Sequence, residues 1–300
     1  MTRMTARTRT LSRAILGTTL PFALPIGLSA FLLFSVEPLV GRLVLPVFGG
    51  TPAVWTTALC FFQAVLLVGY LYGHLSITRL GRWGPPVHLG LAGLGFVALV
   101  IAPVRIADLR LESLSPSLDL LRILFVLIGL PAFVLTTTTP LVSGWFQAAR
   151  TERGGDPYWL YALSNGGSLL ALLAYPLLIE PRLGLGAQRG LWTIGYAGLV
   201  VMLAFAGTRV MPALVARGQA AAVSGMFAAT TDAPSRPIDW PRRARWLLLA
   251  AIPSGLLSAV TTFIATDLIS APLLWVVPLA IYLGSFIVAF SPRGGRLIQW

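Results

Sequence analysis

Long runs of apolar residues, separated by short polar segments, recur along almost the whole chain. A helix needs about 20 predominantly apolar residues to cross a bilayer, and unpaired backbone groups are not tolerated there. The pattern therefore predicts an all-α fold, a polytopic transmembrane helix bundle of about eight helices. The predicted spans are Ile15–Val36, Ala53–Tyr72, Val87–Val104, Leu120–Val142, Tyr158–Ile179, Leu191–Ala206, Trp246–Ile264 and Pro272–Phe290. The first of these spans could continue toward Val47.

The polar segments divide these spans into two groups. Residues 1–14 are predicted to be a cytoplasmic tail, 15–206 a six-span membrane bundle and 207–245 a cytoplasmic linker that contains Pro234, Pro237, Pro241 and an arginine cluster. Two further spans occupy 246–290, and 291–300 form a cytoplasmic tail. The first apolar run is too long for a signal peptide, so we interpret it as a retained span.

Composition and charge agree with this interpretation. The chain is 56% hydrophobic and 11% charged, whereas soluble domains have about a quarter charged residues. All 22 basic residues are arginines, and they occur singly or in small groups between apolar runs, which argues against nucleic-acid binding. Sixteen arginines fall on one side of the predicted topology and six on the other, so the N-terminus is predicted to be cytoplasmic.

Three similar segments suggest an internal repeat of three spans. They are GGTPAVW at 49–55, GGDPYW at 154–159 and SAPLLW at 270–275, and each opens a predicted span. Three-span repeats build the major-facilitator transporters. The alternative is that proline and tryptophan are simply common at helix starts and membrane interfaces.

The same segments resemble the bacterial fused major-facilitator/spermidine-synthase-like proteins. The resemblance is carried by FLLFSVEPLVGR at 31–42, LPVFGGTPAVWTT at 45–57, DPYWLYALSNGGS at 156–168, the Tyr175–Pro176 and Glu180–Pro181 pairs, and Thr266–Asp267 with PLLW at 272–275. It implies a membrane region in the bacterial inner membrane, a link to polyamines, and a partner domain resembling aminopropyltransferases. Whether that domain continues this chain or belongs to another polypeptide is left open.

The motifs of that enzyme domain are absent from the sequence. No G-x-G-x-x-G follows a strand and no acidic cluster follows one, so the resemblance does not imply aminopropyl transfer by these residues. No nucleophile and base converge in a recognisable motif either, and we predict no catalytic residues and no cofactor. His74, His88 and the lone Cys60 are far apart in sequence, and we predict no metal site.

Candidate substrate-binding residues are the acids near span ends and their polar neighbours. Glu37 and Arg42 bracket Pro38 and Gly41, which suggests either an internal ion pair or substrate contact in a broken first helix, or two interfacial charges beyond a span that ends near Val36. Three further candidates each have a structural alternative. They are Asn165 (helix packing), Glu180 (a solvated helix end) and Asp267 (a helix cap).

Two functions follow from these patterns. The first is a membrane module that transports polyamines or related cations, with the acids forming an outward vestibule. The second is a non-transporting anchor or scaffold, in the lipid bilayer, for an aminopropyltransferase-like enzyme domain. A membrane enzyme is disfavoured because no reactive groups converge in the sequence.

Overall fold

The computed structural model is helical throughout the residues that it describes, which are 2–101, 106–111, 114–150, 158–227, 239–263 and 276–291. The predicted all-α fold is confirmed for these residues. Short π-helical segments follow α2, α4 and α6 directly. The helices are α1 (Thr2–Phe48), α2 (Pro52–Leu75), α3 (Gly84–Ile101), α4 (Pro116–Leu124), α5 (Leu130–Ala149), α6 (Tyr158–Ala174), α7 (Glu180–Arg182), α8 (Leu185–Phe227), α9 (Trp240–Phe263) and α10 (Val276–Phe290).

Five stretches of the described chain are long and apolar enough to cross a membrane. They overlap the first six predicted spans, because the second stretch contains both α2 and α3. Val276–Phe290 is a shorter apolar helix, and the total of eight spans stays a prediction. The five stretches are Thr19–Phe48, Ala53–Ile101, Pro116–Ala149, Trp159–Arg182 and Leu185–Gln219.

The outer surface of the bundle is apolar. Leu67, Ile101 and Ile194 are 72%, 75% and 71% exposed. A water-soluble monomer rarely exposes a continuous apolar surface of this kind, whereas lipid covers it at no cost. Together with the long apolar helices, this surface identifies an integral membrane protein.

Two helices extend more than ten residues beyond their predicted ends. α1 does not stop near Val36 but continues to Phe48, in line with the extension toward Val47. It is also unbroken at Pro38 and Gly41, so the broken first helix is wrong. Gly41 serves packing instead, since a Cβ there would lie 2.8 Å from the ring of Trp55. α8 likewise continues past Ala206 to Phe227, so the first part of the predicted linker is helical.

The chain reverses sharply between α2 and α3. Gly81 has φ +50°, a left-handed conformation that glycine adopts most readily. Across this turn the rings of Tyr72 and His88 stack with their centroids 5.9 Å apart. Sixteen residues of straight helix would separate them by about 24 Å. The stretch Ala53–Ile101 is therefore two antiparallel helices rather than one.

Helix α1 lies at the centre of the bundle and packs against α5, α6 and α8. The ring of Phe22 contacts Phe146 of α5 edge-on at 5.6 Å. Trp192 of α8 donates its indole N–H to the carbonyl of Leu32 at 3.0 Å, and both residues are buried. This contact fixes the rotation of α8 against α1.

The contact between α1 and α6 depends on glycine. A Cβ built on Gly167 would lie within 2.4 Å of the Gly27 carbonyl oxygen, whereas a Cβ on the neighbouring Gly166 would meet nothing within 4 Å. Small residues let membrane helices approach this closely. The two helices therefore touch backbone to backbone at Gly167.

Helix α5 carries four consecutive buried threonines, Thr136–Thr139. Thr136 and Thr137 both donate to the Phe133 carbonyl, at 2.9 and 2.7 Å, and Thr138 donates to Val134 at 2.8 Å. Such bonds to the preceding turn satisfy a hydroxyl within its own helix. Thr139 instead meets the hydroxyl of Ser164 on α6 at 3.2 Å.

The repeat cannot be compared between its copies. Its first segment forms the turn between α1 and α2, where Gly49 has φ +75°. Most of the second segment and all of the third lie outside the described residues. The three-span repeat and the cytoplasmic position of the N-terminus therefore stay predictions.

Candidate functional site

Glu37 lies within a membrane-type helix rather than beyond its end. The apolar stretch Thr19–Phe48 has its middle between Leu33 and Phe34. At 1.5 Å per residue, Glu37 is about 5 Å from that middle along the helix axis. With the middle at the bilayer midplane, Glu37 would be well inside the hydrocarbon core, which is about 30 Å thick.

The Glu37 carboxylate is half-buried. Among the residues that the structure describes, it has no hydrogen bond or ion pair. A charged group within hydrocarbon normally faces the bundle interior and pairs with another group. Its environment thus leaves the carboxylate available to a ligand.

Arg42 pairs with Glu180 rather than with Glu37. Its Nη1 lies 3.3 Å from the Glu180 Oε1, and the two side chains are 39% and 42% exposed. By the same measure along α1, Arg42 is about 13 Å from the middle of the stretch, close to the edge of the hydrocarbon core. The pair therefore joins the last turns of α1 to α7 near the membrane surface.

A buried polar contact supports the segment that carries Glu180. The Tyr175 hydroxyl donates to Oε1 of Gln188 at 2.7 Å, and the Gln188 amide donates to the Leu183 carbonyl at 2.7 Å. Both side chains are almost fully buried. They tie the beginning of α8 to the end of α6, so Glu180 is held in place against Arg42.

Asn165 uses its amide within its own helix. The Asn165 Nδ2 donates to the Tyr161 carbonyl at 2.8 Å, and the ring of Tyr161 contacts Phe290 of α10 at 5.9 Å. Ser168, the last residue of the same polar segment, is buried. Asp267 lies outside the described residues. Of the five candidates, the structure brings together Arg42 and Glu180.

A second ion pair was not apparent from the sequence. Asp119 receives hydrogen bonds from the guanidinium of Arg122, at 2.8 and 3.1 Å, and from the Leu111 backbone N–H at 3.1 Å. Arg122 also donates to the Leu109 carbonyl. The only sequence signal is the i, i+3 spacing of opposite charges in α4. The network fastens the segment before α4, and its role is structural.

Two cavities are described along the bundle. The smaller, about 60 Å³, lies between α1 and α8 and is lined mostly by apolar side chains. The larger, about 620 Å³, lies at one end of the bundle between the α2–α3 turn, α5 and α8. Neither is lined by Glu37, Arg42, Asn165 or Glu180.

Comparison of the chain with models of protein families, with curated proteins and with solved structures yields no match. The resemblance to the spermidine-synthase-like fusion proteins therefore stays a prediction. The chain is a helical integral membrane protein with several long apolar helices.

Proposed function

We propose that this protein is a transport-type membrane module that moves a polyamine or a related organic cation across the bacterial inner membrane. The observation that carries the proposal is the Glu37 carboxylate, which lies near the middle of an apolar stretch without an ion-pair partner among the described residues. The predicted cytoplasmic N-terminus and the three-span repeat belong to the same proposal.

The chemistry of Glu37 suits a cation. A charged side chain at the centre of a membrane helix costs about 2.5–3.5 kcal/mol on insertion scales, and such residues commonly mark substrate or ion pathways. An ammonium group donates charge-assisted hydrogen bonds to a carboxylate and offsets part of that cost. The nearest arginine along α1, Arg42, is already paired with Glu180. An organic cation or a proton is therefore the counter-charge we expect at Glu37.

Uptake into proteoliposomes tests this proposal. The purified protein is reconstituted, and uptake of radiolabelled putrescine and spermidine is measured for the wild type, Glu37→Gln and Asp108→Asn. Asp108 is a matched control because it is an exposed carboxylate in a short helical turn outside the apolar stretches. We expect saturable uptake that falls at least tenfold in Glu37→Gln and is unchanged in Asp108→Asn. Equal uptake by Glu37→Gln and wild type would refute the role of Glu37.

The alternative function is a membrane anchor or scaffold for an aminopropyltransferase-like enzyme. It is favoured by the glycine contact, which assigns Gly167 to helix packing, and by the positions of the two cavities away from Glu37. On this alternative the wild type shows no saturable uptake of either polyamine. The protein would then retain a separately expressed aminopropyltransferase-like enzyme during purification in detergent.

A further inference from the structure

The larger cavity lies where three helix ends meet. It is formed by the turn after α2, the last turns of α5 and the part of α8 around Leu214–Gln219. Its volume of about 620 Å³ is within the range of about 300–1,000 Å³ that is usual for small-molecule sites. The cavity is therefore large enough for a bound ligand rather than a few waters.

The lining combines an apolar wall with two cations. Ile77, Trp145 and Leu214 contribute apolar surface, and Arg82 and Arg217 contribute guanidinium groups. Among the described residues neither arginine has an acidic partner, because the ion pairs there use Arg42 and Arg122. The cavity thus presents uncompensated positive charge beside apolar surface.

Both arginines are held by contacts of their own. The Arg82 guanidinium lies over the ring of Trp83, 5.5 Å from its centroid. Arg217 donates from Nη2 to the Gln147 carbonyl at 3.4 Å, across from α8 to α5. Such contacts reduce the freedom that each side chain loses when it binds a ligand.

A buried serine also lies at the wall of the cavity. Ser76 is 2% exposed, and its Oγ is sealed from solvent beside the Tyr72 hydroxyl, with which it interacts. Behind it lie the packed rings of Tyr72, His88 and Trp145, which form a rigid base.

We infer that this cavity binds a phosphate group carried by an amphipathic molecule, with Arg82 and Arg217 holding the phosphate oxygens. Guanidinium groups match phosphate oxygens in geometry and charge. The apolar wall suits the start of an acyl chain, which makes an anionic phospholipid the expected source. Basic pockets between helix ends on the cytoplasmic side bind such headgroups. The predicted topology places the α2–α3 turn, the end of α5 and the end of α8 on the cytoplasmic side, which carries most of the arginines.

Ligand-dependent melting and native mass spectrometry of the purified full chain test the inference. The probes are phosphatidylglycerol, phosphatidylcholine and inorganic phosphate. The test variant is Arg82→Gln with Arg217→Gln. The control is Arg242→Gln with Arg245→Gln, since these arginines are exposed at the start of α9 and Arg242 lies over Trp246 as Arg82 lies over Trp83.

We expect phosphatidylglycerol, and not phosphatidylcholine, to raise the melting temperature and to remain bound in the spectrometer. The test variant should bind a single phosphatidylglycerol about 25-fold more weakly, because each guanidinium that contacts the bound phosphate directly contributes about fivefold, and the control arginines lie outside the cavity. The control should stay within about twofold of wild type. Should the double variant fail to fold, each single substitution is expected to weaken binding about fivefold.

Two other outcomes have defined meanings. Protection by inorganic phosphate alone, lost in the test variant, would support the phosphate site and assign it to a soluble phosphate ester. Equal binding of phosphatidylglycerol by wild type and test variant, or no protection by any phosphate-bearing probe, would overturn the inference.

Discussion

The backbone contact between α1 and α6 leads to a prediction about two adjacent glycines. Gly166 and Gly167 lie in the same helix, but an added Cβ meets open space at the first and the Gly27 carbonyl oxygen, within 2.4 Å, at the second. Gly166→Ala and Gly167→Ala therefore make the same chemical change with different steric consequences. We expect the first to be stabilising and the second destabilising.

The magnitude follows from two opposing contributions. Alanine in a helix interior is favoured over glycine by about 0.5–1 kcal/mol, and both variants gain this. Overpacking of a close contact costs about 1–3 kcal/mol, and only Gly167→Ala incurs it, because the obstructing atom belongs to the backbone and cannot rotate away. The difference between the variants isolates the steric cost, so Gly167→Ala should be about 1–3 kcal/mol less stable than Gly166→Ala.

Reversible unfolding in mixed detergent micelles, followed by loss of helical circular dichroism, measures this difference. The free energy of unfolding of each variant is compared with that of the wild type. If Gly167→Ala proves as stable as Gly166→Ala, α1 and α6 do not touch at Gly167. The close packing of α6 against α1 described above would then be wrong.

Two further predictions concern polar side chains. Glu180→Gln should cost less than about 1 kcal/mol, because its ion pair with Arg42 is about 40% exposed on both sides. The double exchange Arg42→Glu with Glu180→Arg should be more stable than either of its single substitutions, and a double-mutant cycle of unfolding free energies without coupling would contradict the pair. His88→Phe should stabilise the protein by about 1–3 kcal/mol, since both ring nitrogens of this fully buried histidine lack a partner among the described residues. A lower free energy of unfolding for His88→Phe would show that those nitrogens are hydrogen-bonded.

The helical fold could be predicted from the sequence because the hydropathy of a membrane helix is a property of about 20 residues together and does not depend on any single one. The apolar stretches of the structure overlap the first six predicted spans, and the reversal at Gly81 falls between the second and third. Helix ends were less predictable. The first span was predicted to end near Val36 with an extension toward Val47 left open, and the helix continues to Phe48 because apolar residues follow Glu37.

The candidate site was only partly accessible, because pairing depends on which helices become neighbours. Arg42 is close to Glu37 in sequence, but a spacing of five residues does not bring two side chains together on a helix, whereas α7 brings Glu180 within 3.3 Å. The burial of His88 could not be predicted, because it depends on the turn after α2, which folds the ring against Tyr72. Arg82 and Arg217 were recognised only as loop charges, since no sequence pattern links them.

The four threonines of α5 are less polar in their helix than their side chains are in isolation, because most of their hydroxyls are hydrogen-bonded within α5. Four neighbouring hydroxyls in a membrane helix would ordinarily suggest the wall of a water-filled pathway, but three of the four donate to carbonyls of their own helix. Thr137 and Thr138 are therefore close to valines in solvation, whereas the Thr136 hydroxyl also lies 3.4 Å from the Val65 carbonyl of α2 and Thr139 meets Ser164 of α6. A hydropathy scale that treats every threonine hydroxyl as unpaired therefore overstates the free energy of placing α5 in lipid. Replacing each threonine in turn with the isosteric valine and measuring the free energy of unfolding would give the size of the difference.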